Sequence, residues 1–417
     1  MNIPENKGKM VVFSVQTPDQ SDEEVALNLT ELSELLKTAG YSTVATMVQK
    51  RQRVDRTSYF GEGKVKELRK IAEESEADGI VCDDELSALQ IRHLEEDTDF
   101  TVSDRTGVIL EIFAAVASSK EGKLQVDLAR MQYQLLRLAG GYSALSRQRG
   151  GIGLKGPGET KIESDRRKLK FRISRLKKEL EKVVESRALL RQKRIENLAP
   201  LFALAGYTNA GKSTLLNSLS GSKVAVNDGL FTTLDPTARK ITLPSGRFCV
   251  LSDTVGFIKK LPHNLVKAFR ATLEDVINAQ VLIIVTDISA HDAEERISVV
   301  RDILSQIDAL QKEIIMIFNK TDKVTSDVIE SFRNKYPEAL FISAHHKTDL
   351  DTVYKLFDKF MQKEYKLLEM LIPKDSQAVK QVFAFGLIKA QEWRDDNIYL
   401  KAEIPVKMFS LIEKYII

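Results

Sequence analysis

The alternation of apolar and polar positions divides the chain before any single residue is interpreted. Residues 9–15, KMVVFSV, form a β-rich run, and 22–39, DEEVALNLTELSELLKTA, carry the 3.6-residue apolar spacing of an amphipathic helix. YSTVATMV at 41–48 reads as a strand, GKVKELRKIAEES at 63–75 as a helix and DGIVCDD at 78–84 as another strand. Strands alternating with helices predict a small α/β domain with a largely parallel sheet over residues 1–120. Asp83, Asp84 and Asp104 fall at the expected strand ends, where turn or cap roles are expected.

The period changes near residue 122. Leu124, Leu128, Met131, Leu135 and Leu138 recur at alternating four and three, as do Leu169, Ile173, Leu176, Leu180 and Val183. Such spacing makes a narrow coiled-coil seam rather than a broad core-facing stripe. Two helices of matching period joined by a glycine-rich loop predict an antiparallel hairpin over 121–197, the first helix ending at Gly140-Gly141. Residues 198–366 then return to alternating strands and helices. A small α/β tail, 367–417, reads as strands KLLEMLIP and NIYLKAEIP around a helix-like SQAVKQVFAFGLIKAQEW, with Trp393 expected to be packed.

The 417 residues, 43% hydrophobic and 29% charged, suffice for two or three domains with their own cores. No run approaches the roughly 20 apolar residues of a membrane span, and MNIPENKGKM lacks the apolar core of a signal peptide. A soluble cytoplasmic protein, with at most peripheral contact at a membrane, is expected. Cys82 and Cys249 each sit in an apolar strand-like run without a spaced partner, which points to buried free thiols rather than a disulfide or metal site.

The net charge of +3 is too small to imply nucleic acid, but its distribution is one-sided at the hairpin tip. Gly151-Ile152-Gly153-Leu154-Lys155-Gly156 fits G-x-G-x-x-G, yet a helix precedes it where a dinucleotide site needs a strand. The dinucleotide reading is therefore set aside. Arg147, Arg149, Gly151, Gly153 and Lys155 instead make a basic tip whose glycines allow close backbone approach to RNA, and Arg166 to Lys178 add further cations. A merely solvated basic face is the alternative.

The phosphate loop lies further on. LFALAGYTNAGKSTLLNSL places a strand before Gly206, Tyr207, Thr208, Asn209, Ala210, Gly211, Lys212 and Ser213, the G-x-x-x-x-G-K-S pattern, and Thr214 opens the following helix. Backbone N–H groups and the helix N-terminus favour phosphate, Lys212 supplies charge to the β and γ phosphates, and the Ser213 hydroxyl suits Mg²⁺. Asn319-Lys320-Thr321-Asp322 fits N-K-x-D: Asp322 can accept from the two donors of guanine that adenine lacks, and Asn319 can tie base loop to phosphate loop. Ser343-Ala344-His345 follows another strand, with the Ala344 amide expected at guanine O6. GTP is thus expected over ATP.

Two switch segments are expected between these motifs. Phe231-Thr232-Thr233-Leu234-Asp235 offers a threonine for Mg²⁺ and the γ phosphate, Thr233 being favoured over Thr232 by analogy with other GTPases carrying a TT pair. Asp253-Thr254-Val255-Gly256 offers a carboxylate for Mg²⁺ and the Gly256 amide for the γ phosphate. Lys212, Thr233 and Gly256 are the expected catalytic contributors, and Ser213, Thr233 and Asp253 the expected metal group. Phe257 stands where Ras-like proteins place a water-orienting glutamine, so slow intrinsic hydrolysis is expected, with no side chain assigned as general base.

These motifs, together with FGEGKVKEL, CDDELSALQIRHLE, DRTGVILEIFA, EGKLQVDLARMQYQL, LSRQRGGIGLKGPGETKIESDRR and DTVGFIKKLPHNLVKAFRATLEDV, resemble the HflX family of ribosome-associated GTPases, in the Obg-HflX group, over nearly the whole chain. The resemblance implies a Ras-like P-loop domain, GTP/GDP and Mg²⁺ as ligands, and binding to the 50S subunit and its 23S rRNA by a monomer. It also implies a tip directed at the peptidyl-transferase region, ribosome-stimulated hydrolysis, and splitting of 70S ribosomes stalled under heat or other stress. ATP binding at the N-terminal domain and RNA unwinding are associated with the family, but no second phosphate loop occurs here. Lys155 stands where the family commonly has arginine, and lacks its planar fork. An RNA-binding assembly or chaperone factor whose affinity is set by nucleotide is the second reading.

Overall fold

The computed structural model describes residues 7–148, 157–195, 200–221, 229–262, 265 and 273–417, with the side chains of 139–148, 157–162 and 187–195 left aside. The chain forms two compact units, Met1–Val184 with Asn227–Asp235 and Ile258–Thr272, and Glu185–Val226 with Pro236–Phe257 and Leu273–Ile417.

The first unit is built on a parallel four-stranded sheet in the order β2-β1-β3-β4, formed by β1 (Gly8–Gln16), β2 (Tyr41–Lys50), β3 (Gly79–Cys82) and β4 (Thr101–Asp104). Helix α1 (Asp22–Ala39) begins where the Ser21 side chain accepts from the Glu24 amide and ends at Gly40, whose φ of 94° only glycine adopts readily. Helix α2 (Glu62–Glu74) follows the second strand. Helix α3 (Ala88–Thr98) opens on a capping box between Ser87 and Gln90, and α4 (Arg105–Val116) on the Asp104 side chain, which accepts from the Gly107 amide. Val11, Phe13, Ile80, Cys82 and Leu94 bury the core beneath these helices. Cys82 and, in the second unit, Cys249 are buried free thiols.

Asp104 is thus a cap, as its position suggested, but Asp83 and Asp84 are more than turn residues. Asp83 pairs with Arg105 at 2.8 Å and with Lys260 at 2.5 Å, and Lys260 also reaches Asp84 at 2.6 Å. Burial pulls the Lys260 ammonium down, yet the two carboxylates outweigh it and hold its pKa above the usual lysine range.

Helices α5 (Lys120–Gln148) and α6 (Pro157–Ile195) are the long pair foreseen from the heptads. Leu128 and Ile173 are buried and the other described seam positions half-buried, whereas Leu136 and Phe171, off the seam, are exposed. Gly140-Gly141 does not end α5, contrary to expectation. Glycine costs a helix about 1 kcal/mol relative to alanine but leaves its hydrogen bonds intact, so a pair can be carried within a long helix. The root of α5 is fastened by a carboxylate from far along the chain. Asp235 Oδ2 accepts from the Ser118 amide at 2.9 Å, the Ser118 hydroxyl at 2.6 Å and the Ser119 amide at 2.7 Å, and Oδ1 accepts from the Ser119 hydroxyl at 2.5 Å.

The second unit contains a six-stranded sheet in the order β10-β9-β8-β5-β7-β6, parallel except for the β6–β7 pair. Its strands are β5 (Leu201–Gly206), β6 (Thr237–Thr242), β7 (Phe248–Asp253), β8 (Val281–Asp287), β9 (Glu313–Asn319) and β10 (Leu340–Phe341). They alternate with α7 (Lys212–Ser220), α8 (Glu274–Asn278), α9 (Ala293–Gln306), α10 (Ser326–Lys335) and α11 (Lys347–Lys363). The near-continuous apolar runs of β5 and β8 reflect burial on both faces, as a helix-covered parallel sheet demands.

The tail forms an antiparallel sheet, β11 (Tyr365–Pro373), β13 (Asn397–Pro405) and β12 (Leu387–Arg394) in that order, with α12 (Gln377–Phe385) against it. The expected helix through residue 393 stops at Phe385; Gly386 releases the chain, and the remainder is edge strand. On that edge Trp393 is 59% exposed rather than packed, with the Lys374 ammonium over its ring. Arg247, in the turn between β6 and β7, pairs with Asp358 and Glu403 and so holds the tail to the six-stranded sheet domain. Among the described residues no helix is long and apolar enough to cross a membrane.

Candidate nucleotide-binding site

Strand β5 delivers the chain at the carboxyl edge of the sheet, between β7 and β8, where open α/β sheets place their ligands. The turn that follows demands glycine twice. A Cβ at Gly206 would lie 2.2 Å from the Val285 carbonyl oxygen, and one at Gly211, whose φ is 90°, would lie 2.1 Å from Asn319 Nδ2. Between these close approaches the loop turns into the N-terminus of α7, an end that favours an anion. Lys212 lies across this loop, its ammonium donating to the carbonyl oxygens of Gly206 at 3.0 Å and Tyr207 at 2.8 Å. Burial pushes the Lys212 pKa down to about 8, with Asp253 opposing.

Ser213 Oγ donates to Asp253 Oδ2 at 2.6 Å, which brings together two hard oxygen groups from the first turn of α7 and the end of β7. Thr254 Oγ1 ties the next residue to the Leu204 carbonyl at 2.6 Å. Val255 and Phe257 are buried. Phe257 donates its amide to the Gly206 carbonyl at 3.1 Å and accepts the Thr208 amide at 2.8 Å, while its ring is fully buried. Between them a Cβ at Gly256 would come 2.9 Å from Thr208 Cα and 3.1 Å from Lys212 Nζ, so this backbone passes against the loop as only glycine can.

Asn319, 2% exposed at the end of β9, braces the loop: Nδ2 donates to the Ala210 carbonyl at 2.9 Å, and Oδ1 accepts the Ala344 amide at 3.0 Å. The Ala344 amide, expected to face guanine O6, is thus engaged inside the protein. Lys320, held at φ 65°, sends its ammonium to the Asn209 carbonyl at 2.8 Å and to Asp287 at 2.7 Å. Asp322 is exposed. The Ser343 hydroxyl beside it holds its carboxyl below the usual range, with smaller contributions from His346 and His345. Thr214 and Thr321 are half-buried and His345 exposed. The Ser343 amide donates to Asp349 at 2.7 Å.

Phe231, Thr232, Thr233, Leu234 and Asp235 belong to the first unit, where Phe231 meets Phe113 edge to face at 4.7 Å and Leu234 is buried. Of the tip, Arg149, Gly151, Gly153 and Lys155 fall outside the described residues, and of Arg147 only the helical backbone is described. Sequence reasoning missed the cap at Asp235, the Lys260 pairings, and Arg296, whose guanidinium lies 4.8 Å over the Tyr207 ring. No local pattern announces contacts made across such separations.

The donor set fits a nucleoside polyphosphate with a divalent cation: a loop running into a helix N-terminus, a lysine beside a gap that a Cβ on Gly256 would fill, and a hydroxyl–carboxylate pair. Residues 26–114 match the family model described as GTP-binding GTPase N-terminal, 116–194 the GTP-binding GTPase middle region, and 201–320 the 50S ribosome-binding GTPase model. GTPase HflX of Caldanaerobacter subterraneus subsp. tengcongensis is 41% identical over 98% of this chain and 93% of its own length. The proteins of that name from Lacrimispora saccharolytica and Escherichia coli K12 are 40% and 35% identical, over 98% and 95% of this chain and 96% and 92% of their own. Among solved structures, a GTP-binding protein of Sulfolobus solfataricus in complex with GDP is similar at 24% identity and a TM-score of 0.42, over 85% of this chain and 99% of that one. The phosphate loop and the full-length relatives agree, and the chain belongs to the HflX family of GTPases, which bind GTP or GDP with Mg²⁺.

Proposed function

We propose that this protein binds the 50S subunit in its GTP form and splits or rescues stalled 70S ribosomes under stress, with GTP hydrolysis resetting it. The observation that carries the nucleotide reading is the Asn319 brace, which joins the phosphate loop to both base-reading segments through Ala210 and Ala344. In this reading the loop amides and Lys212 hold the β and γ phosphates, Ser213, Asp253 and Thr233 serve Mg²⁺, and the Gly256 amide meets the third phosphate. Mg²⁺, when bound, neutralises charge on the phosphate oxygens. Asp322 reads the guanine edge, its carboxylate exposed at the end of the N-K-x-D segment. The fully buried Phe257 ring supplies no hydrogen bond to water, so slow hydrolysis stimulated by the ribosome fits this site.

Ribosome engagement is supported by the match of residues 201–320 to the 50S ribosome-binding GTPase model and by the long α5–α6 pair with its basic tip sequence. Arg147, Arg149 and Lys155 then meet the phosphates of 23S rRNA, and Gly151 and Gly153 allow the approach. Sedimentation of 70S ribosomes with the protein and GTP or a non-hydrolysable analogue tests this. Subunits are expected in both cases, and intact 70S particles in both would leave only a nucleotide-regulated RNA-binding factor. Gly151→Val with Gly153→Val should impair subunit binding while sparing GTP affinity.

A further inference from the structure

Thr208 is the second residue after Gly206 in the phosphate loop and is 2% exposed. Its backbone amide is committed to the Phe257 carbonyl at 2.8 Å, but among the described residues its buried Oγ1 has no hydrogen-bond partner. A hydroxyl left so costs stability, and valine has the same shape without the cost. The side chain also stands at a defined end of the loop. The point where Gly256 would carry a Cβ is 3.0 Å from Thr208 Cγ2 and 3.1 Å from Lys212 Nζ, so these three residues converge. A P-loop lysine reaches the β and γ phosphates, which places Thr208 at the γ end rather than the α end. In the ligand-free protein the Cγ2 methyl is the branch at that point, and a turn about χ1 brings the hydroxyl to it. Terminal phosphate oxygens only accept, and a threonine hydroxyl so turned can donate.

From this convergence we propose that the Thr208 hydroxyl donates to a terminal oxygen of the third phosphate and so discriminates GTP from GDP. The inference rests on the nucleotide-site reading above. It gives the loop a side-chain sensor of the γ phosphate beside the Gly256 amide, in a protein whose Phe257 ring cannot serve as one.

The test is titration of the full-length protein with GDP and with a non-hydrolysable GTP analogue, both with Mg²⁺, in wild type, Thr208→Val and Thr208→Ser. Thr208→Val should weaken the analogue about tenfold, the value of a hydrogen bond to a charged group, and leave GDP within about twofold. Thr208→Ser should keep the wild-type ratio. Equal weakening of both ligands in Thr208→Val would assign the residue to packing, and no weakening of either would show the hydroxyl idle; each overturns the proposal. Wild type binding neither nucleotide would overturn the site reading itself, a result separate from any ratio between variants.

Discussion

Replacing Gly211 by alanine puts a methyl group 2.1 Å from Asn319 Nδ2 on a backbone held at φ 90°. The left-handed backbone alone costs an L-residue about 1–2 kcal/mol. Asn319 must also move, and its hydrogen bonds to the Ala210 carbonyl and the Ala344 amide are each worth about 1 kcal/mol, with more lost if the buried amide stays unpaired. Gly211→Ala should therefore destabilise the nucleotide domain by about 4 kcal/mol. Where Asn319→Ala has already removed the obstacle, the same change should cost only the backbone part, giving a coupling of about 2 kcal/mol. The assay is urea denaturation followed by circular dichroism, the relevant transition being the one that GDP shifts upward. Costs that add within about 0.5 kcal/mol would refute the claim that glycine is required here by Asn319.

Three further outcomes follow from the same geometry. Asp322→Asn should weaken guanosine nucleotides and favour xanthosine nucleotides in competition binding; unchanged GTP affinity would remove Asp322 from the base pocket. Lys212, held down to about 8 in the folded protein, stays protonated in the unfolded chain up to about 10.4. Between those values the unfolded chain binds more protons, so stability without nucleotide should rise with pH in that window, and the rise should vanish in Lys212→Met; identical curves would contradict it. Asp235→Ala removes the acceptor for the Ser118 and Ser119 donors and should loosen the start of α5 by about 1 kcal/mol, read as faster hydrogen exchange of the amides near 118–123.

Period and punctuation carried much of the architecture. The apolar spacing of 22–39 is helix α1 with the same bounds, and the two heptad series are the long helices whose seams contain buried Leu128 and Ile173. The phosphate loop was legible because its pattern sits between an apolar strand and a helix. Helices α3 and α4 went unread, although Ser87 with Gln90 and Asp104 are cap signals. The tail strand after Gly386 was masked because LIKAQEW also suits a helix, and strand pairing with β13 decides it. Long-range contacts were the real blind spot. Asp83 read as a turn residue because its partner Lys260 is remote in the chain.

The two backbone hydrogen bonds of Phe257 act as a clasp with a mechanical consequence. Because its amide and carbonyl are fastened to Gly206 and Thr208, the strand end that carries Gly256 is stitched to the phosphate loop on both sides of one residue. Gly256 therefore cannot shift without drawing on the phosphate loop, and the two answer to a bound phosphate together.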